Sequence, residues 1–95
     1  MPAYVLGDIT INDPELYKSY TALTPATIEK YGGRFVIRGG TQEIIEGDWQ
    51  PGRMVMLEFD DMAAAKRWYD SPEYSEARAI RQRAATGSLL IVEGL

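Results

Sequence analysis

The 95-residue chain carries 10 Lys or Arg against 14 Asp or Glu, a formal charge of -4, and an acidic balance argues against a nucleic-acid surface, which needs a basic footprint. It has no histidine and no cysteine, which excludes disulfides, thiolate nucleophiles, thiolate metal sites, Ser-His-Asp catalysis, zinc-protease chemistry and haem held by a proximal His. With 45% hydrophobic and 25% charged residues, it reads as one soluble globular domain over residues 1–95, in which any acid–base catalyst must be a carboxylate, Lys, Tyr or ordered water.

The start, Met1-Pro2-Ala3-Tyr4-Val5-Leu6-Gly7-Asp8, has no basic n-region and no long apolar run. No signal peptide or membrane span is expected, and the default location is cytoplasmic. Residues 3–11 alternate as a strand, with Ala3, Val5, Gly7, Ile9 and Ile11 on one face and Tyr4, Leu6, Asp8 and Thr10 on the other. Asp13-Pro14-Glu15 starts a helix: a capping carboxylate, a first-turn proline and an acid at the positive end. Leu16, Tyr20, Leu23, Thr27, Ile28 and Tyr31 form its apolar stripe. Pro25 should kink or locally break it, and Gly32-Gly33 should end it.

Arg34–Arg38 reads as a short strand, with Phe35 and Ile37 on one face and Arg34, Val36 and Arg38 on the other. Gly39-Gly40 marks a bulge, tight turn or close backbone approach. Residues 42–46 suggest another short strand, distorted or at an edge, followed by a turn over Gly47–Gly52. Arg53–Phe59 is a strand in which Val55, Leu57 and Phe59 alternate with Met54, Met56 and Glu58. Asp60 or Asp61 caps a helix through Tyr69, and Ser71-Pro72-Glu73 restarts one that ends near Gly87. Residues 88–93 form the last strand. The order is β-α-β-β-α-β, an α+β ferredoxin-like fold with helices on one face of an antiparallel sheet.

Val5, Ile9, Phe35, Ile37, Val55, Leu57 and Phe59 should lie under the helices. The opposite face, with Tyr4, Leu6, Val36, Met54 and Met56, is too apolar to be left wet. It also carries Asp8, Arg38 and Glu58, which would be costly in a dry interface unless paired. A second protomer closing over a small ligand cavity fits both facts. In one reading the three charges form a carboxylate–guanidinium site, with Arg38 binding an oxygen and Glu58 or Asp8 accepting a proton. In the other they are an ion-pair network that satisfies itself.

Trp68, Tyr69 and Tyr74 are aromatic residues that either wall a pocket or fill the core. Arg78, Arg81 and Arg83 either form a solvated helix face or, for Arg81, reach a neighbouring strand end or protomer. No phosphate loop is present, because Gly39-Gly40 is not followed by Lys-Ser/Thr and there is no G-x-G-x-x-G. Asp8, Glu58, Asp60 and Asp61 match no known metal-loop spacing, so neither metal nor cofactor is expected.

Tyr31-Gly32-Gly33-Arg34, Arg38-Gly39-Gly40, Glu46-Gly47, Glu58-Phe59, Trp68-Tyr69-x-Ser71-x-x-Tyr74, Arg81 and Val92-Glu93-Gly94 together resemble the DUF1330 family, whose function is unknown. The resemblance implies a ferredoxin-like fold in the dimeric α/β-barrel superfamily, where two sheets pack into a barrel. That superfamily includes cofactor-independent monooxygenases, isomerases, haem-binding chlorite dismutases and ligand domains of regulators, so fold alone does not choose an activity. The resulting expectation is a cytoplasmic homodimer binding a small organic molecule, either as a cofactor-independent monooxygenase- or isomerase-like enzyme or as a non-catalytic binding or dimerisation module. Asp8, Arg38, Glu58, Trp68, Tyr74 and Arg81 are the pocket candidates.

Overall fold

The computed structural model describes residues 1–95. Its elements are β1 (Ala3–Ile11), α1 (Pro14–Lys30), β2 (Arg34–Arg38), β3 (Arg53–Phe59), α2 (Met62–Tyr69), α3 (Pro72–Ala84) and β4 (Ala85–Glu93). The strands form one antiparallel sheet in the order β2-β3-β1-β4. This is the ferredoxin-like arrangement, with the second crossover divided into two consecutive helices.

Local chemistry places each helix. The Asp13 carboxylate accepts from the Leu16 amide at the start of α1, and the Asp61 carboxylate accepts from the Ala64 amide at the start of α2. Ser71 stands at the junction of α2 and α3: its hydroxyl donates to the Trp68 carbonyl and accepts from the Tyr74 amide. One residue thus closes one helix and opens the next. Pro25 lies inside α1, which nonetheless runs unbroken from Pro14 to Lys30. The Thr24 and Thr27 hydroxyls donate to the carbonyls of Tyr20 and Thr24 at 2.7 Å, and the Trp68 indole N–H donates to Thr27 Oγ1 at 3.0 Å. The last of these bonds ties the proline-containing segment to α2. Gly33 follows α1 with no room for a side chain, since a Cβ there would lie 2.5 Å from Phe59 Cε1.

The core lies between the sheet and the helices. Val5, Ile28, Leu57, Phe59, Ala65 and Trp68 are almost fully buried in one cluster that also contains Tyr74. Ile9, Tyr17, Ala84 and Ala85 form a smaller second cluster. Burial of a residue the size of Val5 or Phe59 contributes roughly 1.5–3 kcal/mol.

Three expectations are corrected. Residues 42–46 form no strand; they belong to the loop from Gly39 to Gly52, in which Ile44 and Ile45 are exposed. Two apolar residues amid polar neighbours mimic a strand, but no sheet edge pairs with them. The last helix ends at Ala84, not near Gly87, and β4 begins at Ala85. The Ala84 carbonyl there accepts from the Asn12 and Asp13 amides, and Ala85 pairs with Ile11, so β1 sets the helix end.

The third correction concerns β2. Its register against β3 runs Arg34↔Glu58, Phe35↔Leu57, Ile37↔Met56 and Arg38↔Val55, so Val36 is bulged out of the ladder. A bulge adds one residue to one strand and reverses the facing of everything beyond it. Ile37 therefore shares the outer face with Met56, and Arg38 shares the helix-side face with Val55. Both lie opposite to the faces that simple alternation assigns. The Arg38 guanidinium consequently stacks over the Phe35 ring, 4.2 Å from its centroid. Residues three apart on a regular strand point to opposite faces and could not stack in this way.

Candidate functional site

α1 packs mainly along α3 and makes few close approaches to the sheet. The gap beneath it is a cleft that encloses about 40 Å³ of cavity, within about 530 Å³ of space once its open mouth is counted. A water needs about 10–15 Å³ on the first measure, so the closed part holds roughly three water-sized groups. The cleft thus lies within one protomer, on the helix side of the sheet, rather than on the uncovered face where sequence reasoning placed it.

Gly7 forms part of the cleft's floor. A Cβ on Gly7 would meet Leu89 Cδ1 at 3.1 Å, so the missing side chain leaves the floor low. Val5, Val55, Leu57 and Leu89 supply the apolar surface around it, and Tyr17, Tyr20 and Ile28 from α1 form the facing wall. Trp68 and Tyr74 also line the cleft and are themselves fully buried, with ring centroids 4.1 Å apart.

The polar groups come from four elements. Arg38 on β2, Arg53 on β3 and Arg81 on α3 all line the cleft, together with the hydroxyl-bearing Tyr17 and Tyr20 of α1 and Tyr74 of α3. Arg81 Nε donates to the Tyr74 hydroxyl at 3.3 Å, and the Tyr74 and Tyr20 hydroxyls share a hydrogen bond of 2.9 Å. Burial, reinforced by the neighbouring Tyr74 oxygen, pushes the Tyr20 phenol far above its ordinary range. It therefore stays protonated, and a hydrogen-bond donor, at every physiological pH. The Arg53 guanidinium donates to the Tyr17 hydroxyl at 3.3 Å and lies 5.7 Å from that ring's centroid. No Asp, Glu or Lys lines the cleft.

The six residues singled out from the sequence do not share one site. Arg38, Trp68, Tyr74 and Arg81 line the cleft. Asp8 and Glu58 face the opposite side of the sheet, paired across the strands with Met54 and Tyr4. The Asp8 carboxylate accepts from the Trp49 indole N–H at 3.1 Å and from the Gly52 amide at 2.7 Å, holding the Gly39–Gly52 loop to β1. Glu58 forms an ion pair with Arg34. The expected convergence of Asp8, Arg38 and Glu58 is thus undone by the Val36 bulge, which carries Arg38 through to the other face.

Sequence reasoning missed Arg53, Tyr17 and Tyr20 as cleft residues. The signal for Arg53 was present, because it lies two residues before Val55 and so shares the buried face of β3. Tyr17 falls one residue from Leu16 in the helical pattern, which obscured its inward direction.

The family described as a domain of unknown function (DUF1330) matches residues 2–95. The chain belongs to this family. No curated protein sequence matches the DUF1330 chain. Among solved structures, it is similar to a Rhodopseudomonas palustris protein of unknown function, with TM-score 0.79 and 23% identity over 99% of this chain and 82% of that one. It is similar to a dimeric ferredoxin-like protein of unknown function from Jannaschia, with TM-score 0.69 and 13% identity over 99% and 100% of the two chains. It is also similar to SnoaB, a cofactor-independent oxygenase from Streptomyces nogalater, with TM-score 0.68 and 15% identity over 99% and 93%. At these identities the likeness establishes the fold, not the activity. No helix of the DUF1330 protein is long and apolar enough to cross a membrane.

Proposed function

We propose that this DUF1330 protein binds a small organic molecule in the cleft beneath α1, one per protomer of a homodimer. The observation that carries the reading is the cleft itself. Protein interiors close to crystal-like density, so a small core that holds one helix off its sheet is organised around something other than packing. Its lining combines an apolar floor with a few converging polar groups, the composition of small-molecule sites.

The dimer is supported by the outer face of the sheet. Leu90, Val92 and Ile37 are exposed there beside the part-buried Tyr4, Leu6, Met54 and Met56. Asp8 and Glu58, the charges that would oppose burial of this face, already have partners within the chain. A second copy laid on this sheet would cover an otherwise costly apolar surface, and the Jannaschia protein is described as dimeric.

Binding is favoured over catalysis because the cleft presents no carboxylate, lysine or histidine to accept a proton. A cofactor-independent enzyme is the second reading, supported by the Arg81–Tyr74–Tyr20 hydrogen-bond chain. Fixed donors of that kind stabilise an oxyanion that develops on a bound substrate.

A thermal-shift screen of organic acids, phenols and ketones against the wild-type chain and Gly7→Leu tests the reading. Ligand at about 100 times its Kd stabilises the wild type by roughly 2.7 kcal/mol, and filling the floor at Gly7 should abolish the shift. Ligands that stabilise both proteins equally would place binding outside the cleft.

A further inference from the structure

The cleft has many more hydrogen-bond donors than acceptors. Each guanidinium carries five N–H donors and no acceptor. Arg53 and Arg81 each give one N–H to a tyrosine oxygen, and Arg38 rests on the Phe35 ring. None of the three has a carboxylate within ion-pair distance, whereas Arg34 and Arg78, which lie outside the cleft, do. The tyrosines do not redress the balance. When the Tyr20 hydroxyl donates to Tyr74, the Tyr74 phenolic proton has no acceptor in the chain. The Tyr17 hydroxyl accepts from Arg53 and likewise keeps its own proton free.

The chain is acidic overall, at -4, yet three cations and no anion converge on one half-enclosed space. Placing like charges around a low-dielectric cleft is unfavourable unless something of opposite sign occupies it. Arginine's planar fork suits a two-oxygen head group. The floor of Val5, Leu57 and Leu89 beside Trp68 calls for an apolar body.

From this surplus of donors we infer that the cleft selects an organic carboxylate, with an aromatic or alicyclic body on the floor and its two oxygens shared among Arg38, Arg53 and Arg81. The inference rests on the cleft-binding reading above and adds the charge of the ligand. The rim arginine, Arg38, is exposed and meets the anion first. The half-buried Arg53 and Arg81 hold it once water is displaced. The phenolic protons complete its hydrogen bonding, and the high pKa of Tyr20 keeps that donor in place.

The test uses matched pairs that differ only in charge: benzoate against benzamide, and 2-naphthoate against 2-naphthamide. Each is titrated into the full-length wild-type chain and followed by backbone amide shifts in NMR. The acids are expected to shift the Gly7 and Leu89 amides and to bind about tenfold more tightly than the amides, as charge-assisted hydrogen bonds replace neutral ones. Arg53→Met and Arg81→Met should each remove most of that preference while leaving the weaker amide binding in place, which also reports that the variant is folded. Acid and amide binding in the cleft with equal affinity would overturn the carboxylate assignment and leave the cleft reading standing. Acid shifts confined to residues outside the cleft would overturn the assignment. If no probe moves the cleft amides, the assignment and the cleft reading both fail. The wild-type comparison decides among these outcomes even if both arginine variants misfold.

Discussion

Removing the Tyr74 hydroxyl tests whether Arg81, Tyr74 and Tyr20 act as one unit. Tyr74 is fully buried, and its oxygen is bonded to both Arg81 Nε and the Tyr20 hydroxyl. Tyr74→Phe keeps the ring and its stack on Trp68 but deletes both bonds. A neutral hydrogen bond contributes about 1 kcal/mol net and one to a charged donor about 1.5–3 kcal/mol. The 3.3 Å Arg81 contact is long, and cleft water can reach the freed donors, so the expected cost is about 2 kcal/mol. Tyr20→Phe deletes only the shared bond and should cost about 1 kcal/mol. The double variant should then be about as stable as Tyr74→Phe alone, a coupling of about 1 kcal/mol in the cycle. Urea unfolding at neutral pH and fixed protein concentration measures all four forms by linear extrapolation. If the two single costs add to within about 0.3 kcal/mol, the hydroxyls are not coupled and the donor chain does not exist in solution.

The remaining predictions concern pH, packing and assembly. Tyr20's phenol is raised by burial and then by Tyr74, so its stabilising contribution is complete below the unfolded value near 10 and is lost as pH rises above it. Alkaline destabilisation should therefore be shallower in Tyr20→Phe, by up to about 1.4 kcal/mol per pH unit. A Glu73 carboxylate lowered first by its hydrogen bond from Tyr31, then by Lys30, contributes above its unfolded pKa and loses that contribution as pH falls through the folded value. Stability curves of wild type and Glu73→Gln should separate near pH 7 and converge in acid; curves that stay parallel would show the contact to be inert. Gly33→Ala places a methyl 2.5 Å from the Phe59 ring and should destabilise by about 1–3 kcal/mol, read as a lower urea midpoint. Met56→Lys puts a charge at the centre of the outer sheet face and should shift sedimentation from dimer to monomer with the fold intact. A dimer that tolerates it would place the interface elsewhere.

Much of this fold was legible because periodicity and capping agree. The alternation of Val5, Gly7 and Ile9 and of Val55, Leu57 and Phe59 matches the helix-side face, and Asp13, Asp61 and Ser71 each cap where their chemistry suggests. Trp68, Tyr74 and Arg81, singled out by motif and helical position, line the cleft. What the residues could not disclose was the register of β2. Arg-Phe-Val-Ile-Arg alternates without fault, and nothing within those five letters marks Val36 as the bulged residue. Pairing with β3 decides it, which is a long-range event. The same gap explains why Arg38 was grouped with Asp8 and Glu58, in a site or in an ion-pair network, where the structure instead puts Arg38 on the other side of the sheet and pairs Glu58 with Arg34. Ile44 and Ile45 misled for a related reason, because local β propensity cannot report whether a partner strand is available.

The Val36 bulge has an evolutionary consequence. Loss of Val36 would leave Ile37 opposite Met56 and Arg38 opposite Val55, whereas taking Val36 into the ladder would turn Ile37 to the cleft and Arg38 to the outer face. The polarity of the cleft and of the outer face would then change together, in opposite senses, through a change of register alone. Changes that favour or remove the bulge, more than substitutions at the cleft residues themselves, are thus a short route by which this scaffold exchanges one cleft polarity for another.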